Sequence, residues 1–221
     1  MNKKILLIST SESNMNGHPT GLWLEELAEP YNVFKKARLE VDIVSILGGK
    51  VILDKNSIPN GIPKEHEVAY SLLENTQSLE TIMKNSYDAI LFAGGHGPLI
   101  DFVNNKNIVK LILDTYKNGN IVAGVCHGVA AFANIKNADG KYFVNGKNLT
   151  AFTDTEEAIA GLSDKVPFAL ESRLRQQGAI IDKGADFTEK VVVDKNFITG
   201  QNPQSSHKIA EIILENLINK N

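Results

Sequence analysis

NIVAGVCHGVAAFANI, residues 120–135, runs from a continuous apolar stretch into a glycine-flanked cysteine and then into small residues. The apolar stretch predicts a strand buried on both faces, as in a parallel sheet covered by helices. Gly124-Val125-Cys126-His127-Gly128 then reads as the cysteine form of a nucleophile elbow, G-x-nucleophile-x-G. A sharp strand-to-helix turn strains the backbone of its central residue, so close neighbours must be glycine or other small residues. The turn lifts the side chain above the carboxyl end of the sheet, where open α/β folds bind ligands. It also sets the sulfur at a helix N-terminus, whose partial positive charge favours thiolate. A lone cysteine is ordinarily a small buried hydrophobe. The strand before Cys126, its two glycines and the helix expected after it argue instead for a nucleophile.

Outward from this string, KILLIS (Lys4–Ser9), VDIVSIL (Val41–Leu47) and DAILFAG (Asp88–Gly94) repeat the buried-strand signature. Helical patterns lie between the strands. In TGLWLEELAEPYNVFKKARL (residues 20–39), Trp23, Leu27, Tyr31 and Phe34 recur at helical spacing and are expected to face the sheet, with Pro30 ending or kinking the helix. NIVKLILDTYKNG stops at Gly119, and VPFALESRLRQQGA has Pro167 near its start and Gly178 at its end. SSHKIAEIILENLINK (residues 205–220) is amphipathic through Ile209, Ile212, Ile213 and Leu217. This alternation predicts an α/β fold: a doubly wound, mostly parallel sheet sandwiched by helices. EKVVVDKNFITG, interrupted at Asp194-Lys195-Asn196, predicts a small hairpin at the sheet edge. The chain reads as one domain, residues 1–221, with surface loop insertions at about 48–65 and 135–148.

Composition narrows the function. The 43% hydrophobic and 22% charged residues exclude a disordered tail or a fibrous repeat, and 221 residues suffice for a core without metal or disulfide staples. A net charge of -3 offers no basic field for nucleic acid or an anionic membrane. The single cysteine permits no internal disulfide and fits a reducing compartment. The apolar run Ile5–Ile8 is too short for a secretory signal, and no membrane-length apolar stretch exists, so a cytoplasmic protein is expected.

A second glycine turn, LFAGGHGPLIDF (residues 91–102), ends another strand. Backbone N–H groups of Gly94 and Gly95, with that of His127, would form an oxyanion hole beside the elbow. Glu26 lies one residue before Leu27 and can turn inward, whereas Glu25 and Glu29 read as solvated. Of the five histidines, His66 reads as solvated, and His18 as a surface residue or part of a pocket mouth. No two have i, i+4 metal spacing, so no metal is expected; no cofactor is expected either. His207 is followed by Lys208 and Ile209, so the downstream H-x-E pair of class I glutaminases is absent.

Six strings together resemble the ThiJ/PfpI family of the class I glutamine amidotransferase-like superfamily. They are TGLWLEELAEPYNVF, FAGGHGPLIDF, AGVCHGVAAF, LTAFTDTEEAIAG, VPFALESRL and ITGQNPQSS, in the family's order over most of the chain. The branch they resemble most is the heat-shock chaperone and glutathione-independent glyoxalase (glyoxalase III) group. The resemblance implies a flavodoxin-like sandwich, Cys126 as nucleophile, Glu26 against the sulfur and His127 beside it. The family's third acid falls in FTDTEEAIAG, where Glu157 matches best and Glu156 and Asp154 stand near. Val129 departs from the proline or alanine common after CHG. The activity implied is a cysteine-dependent lyase of the D-lactate dehydratase type, converting 2-oxoaldehydes such as methylglyoxal to hydroxy acids such as lactate. Deglycase activity would use the same addition chemistry. The alternatives are a stress-related holdase for unfolded polypeptides and a cysteine peptidase or amidase. Against the peptidase, neighbouring residues at a helix start are not expected to face each other. The resemblance also implies a homodimer.

Overall fold

Side chains of Lys4–Ser9 (β1) divide between two cores: Leu6 and Ile8 join one, Ile5 and Leu7 the other. Alternate residues of a strand point to opposite faces, so a strand with no polar side to spare sits inside a covered sheet. The computed structural model describes residues 3–219. Around β1 it sets Glu40–Ser45 (β2), Gln77–Ser78 (β3), Ala89–Phe92 (β4), Ile121–Val125 (β5), Val191–Asp194 (β6) and Phe197–Gly200 (β7). Their order across the sheet is β6-β7-β5-β4-β1-β2-β3. Every pair is parallel except β6–β7, the expected edge hairpin, whose turn holds Lys195 at φ +59. This is the doubly wound arrangement, and the order reverses between β1 and β4, where such sheets open a crevice at their carboxyl ends.

Seven α-helices are formed by the described residues: Glu25–Lys36 (α1), Glu67–Leu72 (α2), Pro98–Asp101 (α3), Lys106–Lys117 (α4), Asp154–Ile159 (α5), Leu170–Gln176 (α6) and Ser206–Asn219 (α7). α1 and α7 cover one face through Leu27, Ala28 and Phe34 and through Ile209, Ile213 and Leu217. Each such aliphatic side chain contributes roughly 1.5–3 kcal/mol by leaving water, which fixes α7 to the sheet. α4 covers the other face through Ile108, Leu111 and Ile112, beside Phe92, Phe102, Phe132, Phe143 and Phe197. Lys220, the last residue of the expected terminal helix, lies outside the described residues. No helix among the described residues is long and apolar enough to cross a membrane.

Local expectations are corrected at three points. Of the expected end or kink at Pro30, the end does not occur and α1 runs on; buried residues on both sides of the ring, Leu27 and Phe34 among them, outweigh the lost backbone hydrogen bond. Trp23 precedes α1 rather than facing the sheet from it, and lines a pocket. α6 starts at Leu170, three residues beyond Pro167.

Candidate active site

Phe92 at the end of β4 pairs with Gly124 in β5, so the turns that follow the two strands meet. Cys126 stands in the left-handed region at φ +57, a conformation that costs a non-glycine residue about 1–3 kcal/mol. A Cβ on Gly128 would lie 2.2 Å from the Phe92 carbonyl oxygen, so only glycine lets this turn rest backbone on backbone against β4. The elbow is followed by a 3-10 helix, Cys126–Phe132, rather than by an α-helix. Cys126 is buried, at 3% exposure. Its surroundings correct the expectation of a thiol activated by a helix end. Burial, and then the Glu26 carboxyl beside it, push the Cys126 thiol up, and the His127 backbone N–H only partly offsets them.

Glu26 turns inward from the first turn of α1 and is fully buried. Its Oε2 accepts the Gly94 N–H at 2.8 Å, and its Oε1 has no hydrogen-bond partner among the described residues. Burial raises the carboxyl well above the usual carboxylate range, against the pull of its neighbours Cys126 and Gly94. Burying two acids side by side opposes the loss of both protons, so the pair keeps at least one. The same bond corrects the expected oxyanion hole: the Gly94 N–H is committed to Glu26, which leaves Gly95 and His127. Gly95 lines the pocket at φ +86, and a Cβ there would lie 2.1 Å from the Gly21 carbonyl oxygen.

His127 does face its neighbour, contrary to the reading from helix geometry. Its Nδ1 lies 3.4 Å from Cys126 Sγ, because the left-handed turn and the 3-10 winding replace the α-helical spread of adjacent side chains. Its Nε2 meets Glu157 Oε2 at 2.7 Å, and the other oxygen of Glu157 meets His96 Nε2 at 2.8 Å. Of the three acids in FTDTEEAIAG, Glu157 is therefore the one at the histidine. Glu156 closes the capping box of α5, and Asp154 binds Ser172.

The carboxylate fixes both imidazoles. Burial alone would raise Glu157, but its bonds to His127 and His96 outweigh this and bring it down to about 2. An ionised carboxylate only accepts, so both Nε2 atoms carry hydrogen and both Nδ1 atoms are bare when the rings are neutral. His127 thus presents a lone pair to the thiol. Burial, and then the neighbouring His96, whose ring is tilted 40° at 4.1 Å between centroids, lower His127 to about 4, so it is neutral at neutral pH.

A pH effect on stability follows. The unfolded chain takes up the His127 proton near 6.5 and the folded chain only near 4, so the folded state loses ground as pH falls through that window. About 3 kcal/mol is expected to disappear there. Urea midpoints of the wild type should fall more steeply across the window than those of His127→Gln; equal slopes would assign the acid sensitivity to other groups.

GGHG in the sequence points to its backbone N–H groups and not to the imidazole of His96, which the structure brings into the site. With His127 and Glu157 it forms a set whose potential ligand atoms lie within 4.8 Å of one another, although no two histidines have metal spacing in sequence. A metal ion there would have to displace both Nε2 hydrogens. His66, expected in solvent, is buried and binds Glu29 Oε1 at 2.7 Å, while His207 binds Glu29 Oε2 at 2.8 Å. Glu29 is thus a bridge between α1, the turn before α2 and α7, not a solvated residue. His18 is half-buried in an adjoining pocket that shares Asp54 and Asn56 with the one over the sulfur.

The pocket over Cys126 has a volume of about 470 Å³. Trp23, Phe152 and Phe187 line it along with Gly95, His96 and His127.

The sequence pattern of the DJ-1/PfpI family matches residues 20–216. The chain is 29% identical to glyoxalase 3 of Candida albicans over 96% of its own length and 97% of that protein's. It is 29% identical to a glutathione-independent glyoxalase of Saccharomyces cerevisiae, over 94% of this chain and 95% of the relative. Among solved structures, it superposes on Rapid Encystment Protein 24 kDa of Francisella tularensis with a TM-score of 0.92 at 38% identity, covering 97% and 99% of the two chains. Candida albicans glyoxalase III gives a TM-score of 0.86 at 29% identity, with 96% of each chain covered.

Proposed function

The chain belongs to the DJ-1/PfpI family, and from that premise we propose that it is a glutathione-independent glyoxalase, converting a 2-oxoaldehyde and water to the 2-hydroxy acid with Cys126 as nucleophile. The observation that carries this is the coupling of a buried Cys126–Glu26 pair to a neutral imidazole whose bare Nδ1 lies 3.4 Å from the sulfur.

The chemistry runs on this chain's own residues. Sulfur adds to the aldehyde carbon, the C=O π bond breaks, and the thiol proton, held on Glu26, passes to the new oxyanion. The Gly95 and His127 backbone N–H groups support that oxyanion. His127 Nδ1 takes the hydrogen from the former aldehyde carbon and returns a proton to the former keto carbon through an enediol, as general acid–base catalysts do. The product is a thioester. Water cleaves it to the hydroxy acid and frees the thiol, so no oxidant or second thiol enters the balance. Glu157 holds the imidazole in the useful tautomer and stabilises the imidazolium formed on the way.

A cysteine peptidase or amidase is the second reading, favoured by the Cys126–His127–Glu157 geometry itself. The buried Cys126 and the fully buried Glu26 beside it suit a small aldehyde better than a polypeptide. One preparation assayed three ways separates the readings. Lactate should form from methylglyoxal in the absence of glutathione, with no hydrolysis of unfolded casein. Casein hydrolysis without lactate would establish the peptidase, and suppression of aggregation with neither would establish a holdase.

A further inference from the structure

Phe187 is a bulky residue with its backbone in the left-handed region, at φ +53, where such residues are outliers. The residue is 36% exposed, so the conformation does not serve to bury a ring in the core. A buried carboxylate keeps it there. Glu156 Oε1 accepts the Phe187 N–H at 2.7 Å, Asn202 Nδ2 at 2.8 Å and Gln201 Nε2 at 3.1 Å. Glu156 Oε2 accepts the Thr153 N–H at 2.9 Å, which ties this anchor to the cap of α5. The ring so positioned meets Phe152 edge-on at 6.0 Å, and Phe152 lies over His127 at 4.5 Å between centroids. An aromatic wall therefore runs from the Cys126–His127 site to the exposed edge of the pocket. Ala160 and Leu162 extend its apolar lining.

The pocket is large for methylglyoxal, which has only a methyl group beyond its dicarbonyl. Its volume of about 470 Å³ falls within the 300–1,000 Å³ typical of sites for drug-sized ligands. Among the described residues that line it there is no lysine or arginine, and Asp54 is its one carboxylate. Nothing there favours an anionic substituent.

We propose that this pocket selects uncharged 2-oxoaldehydes bearing an aryl or branched alkyl group on the keto carbon, with the Phe152–Phe187 wall holding that group. The proposal rests on the glyoxalase reading and names its substrate class. The reaction is unchanged: R–CO–CHO and water give R–CHOH–COOH, with no further reactant.

The test is kcat/KM without glutathione for methylglyoxal, tert-butylglyoxal, phenylglyoxal and 4-carboxyphenylglyoxal, reading the hydroxy acid by chromatography against a Cys126→Ser blank. The tert-butyl and phenyl compounds should exceed methylglyoxal by roughly 10–100-fold, mostly through KM, as a desolvated apolar group warrants. The carboxylated ring should lose that gain. Phe187→Gly removes the ring and at the same time relieves the left-handed backbone, so it should fold; in it the phenyl-to-methyl ratio should collapse. Turnover of methylglyoxal with no advantage for the larger groups overturns this inference and leaves the glyoxalase reading standing. Hydroxy acid from none of the four overturns both. A ratio unchanged in Phe187→Gly, or a carboxylated ring handled as well as phenyl, overturns the aromatic wall as the selector.

Discussion

Cys126→Ser should abolish lactate formation from methylglyoxal and leave the fold intact. The hydroxyl is slightly smaller than the thiol and takes the same left-handed backbone position, so the packing of the elbow against β4 is kept. His127 Nδ1, at 3.4 Å from the sulfur, faces a hydroxyl that donates a better hydrogen bond than a thiol does. Nucleophilicity is what changes. A serine hydroxyl has no accessible anion near neutral pH, and Glu26, proposed to take the thiol proton, would face an alcohol of far higher pKa. Lactate yield in the absence of glutathione and the thermal midpoint, measured on one preparation, check the two halves together. A yield equal to that of the wild type would end the covalent mechanism; a lost midpoint would make the variant uninformative about chemistry and call for Cys126→Ala in its place.

The parts of this molecule that are legible in the sequence are those set by local pattern. Buried strands announce themselves as unbroken apolar runs, and Ile121–Val125 and Lys4–Ser9 are strands as read. Gly124 and Gly128 mark the elbow because the turn has no room for a side chain, a constraint that leaves its trace in residue type. The hydrogen-bonded group of His96, His127 and Glu157 is less legible because its members come from separate turns and from α5. Glu157 is separated from its neighbours Glu156 and Asp154 only by which helical face of a short segment meets His127, and all three are acids within four residues. His96 belongs to a glycine string that points to its backbone, while its imidazole gains meaning only from an oxygen of Glu157, 61 residues away in sequence. Glu29 looks like a surface residue until His66 and His207 arrive from either side. The state of the thiol is the clearest case. A helix start after a strand argues for a lowered pKa, but the depth of the sulfur and the carboxyl beside it act in the opposite direction, and neither can be read from spacing.

Glu26→Gln should separate thiol reactivity, kept or raised, from turnover, which should be lost. The Gly94 N–H fixes the amide oxygen at the position of Oε2, 2.8 Å away, which turns the NH2 into the place of Oε1, an atom without a hydrogen-bond partner among the described residues. The amide carries no charge, so the repulsion that adds to burial in raising Cys126 is gone, and its N–H still offers a hydrogen bond to a thiolate. Alkylation by iodoacetamide at neutral pH should therefore be as fast as in the wild type or faster. Turnover should fall by about 10²–10⁴-fold, the usual worth of a general acid or base, because an amide cannot hold the thiol proton and deliver it to the oxyanion. Glu26→Ala should damage both properties, since it removes the partner of Gly94 and opens a hole beneath the sulfur. Glu25→Gln, one residue earlier on the partly exposed side of α1, is the control and should match the wild type in both assays. Near-native alkylation and near-native lactate formation in Glu26→Gln would strip Glu26 of any part in the chemistry and leave His127, with Glu157 behind it, as the sole carrier of protons between thiol, oxyanion and carbon.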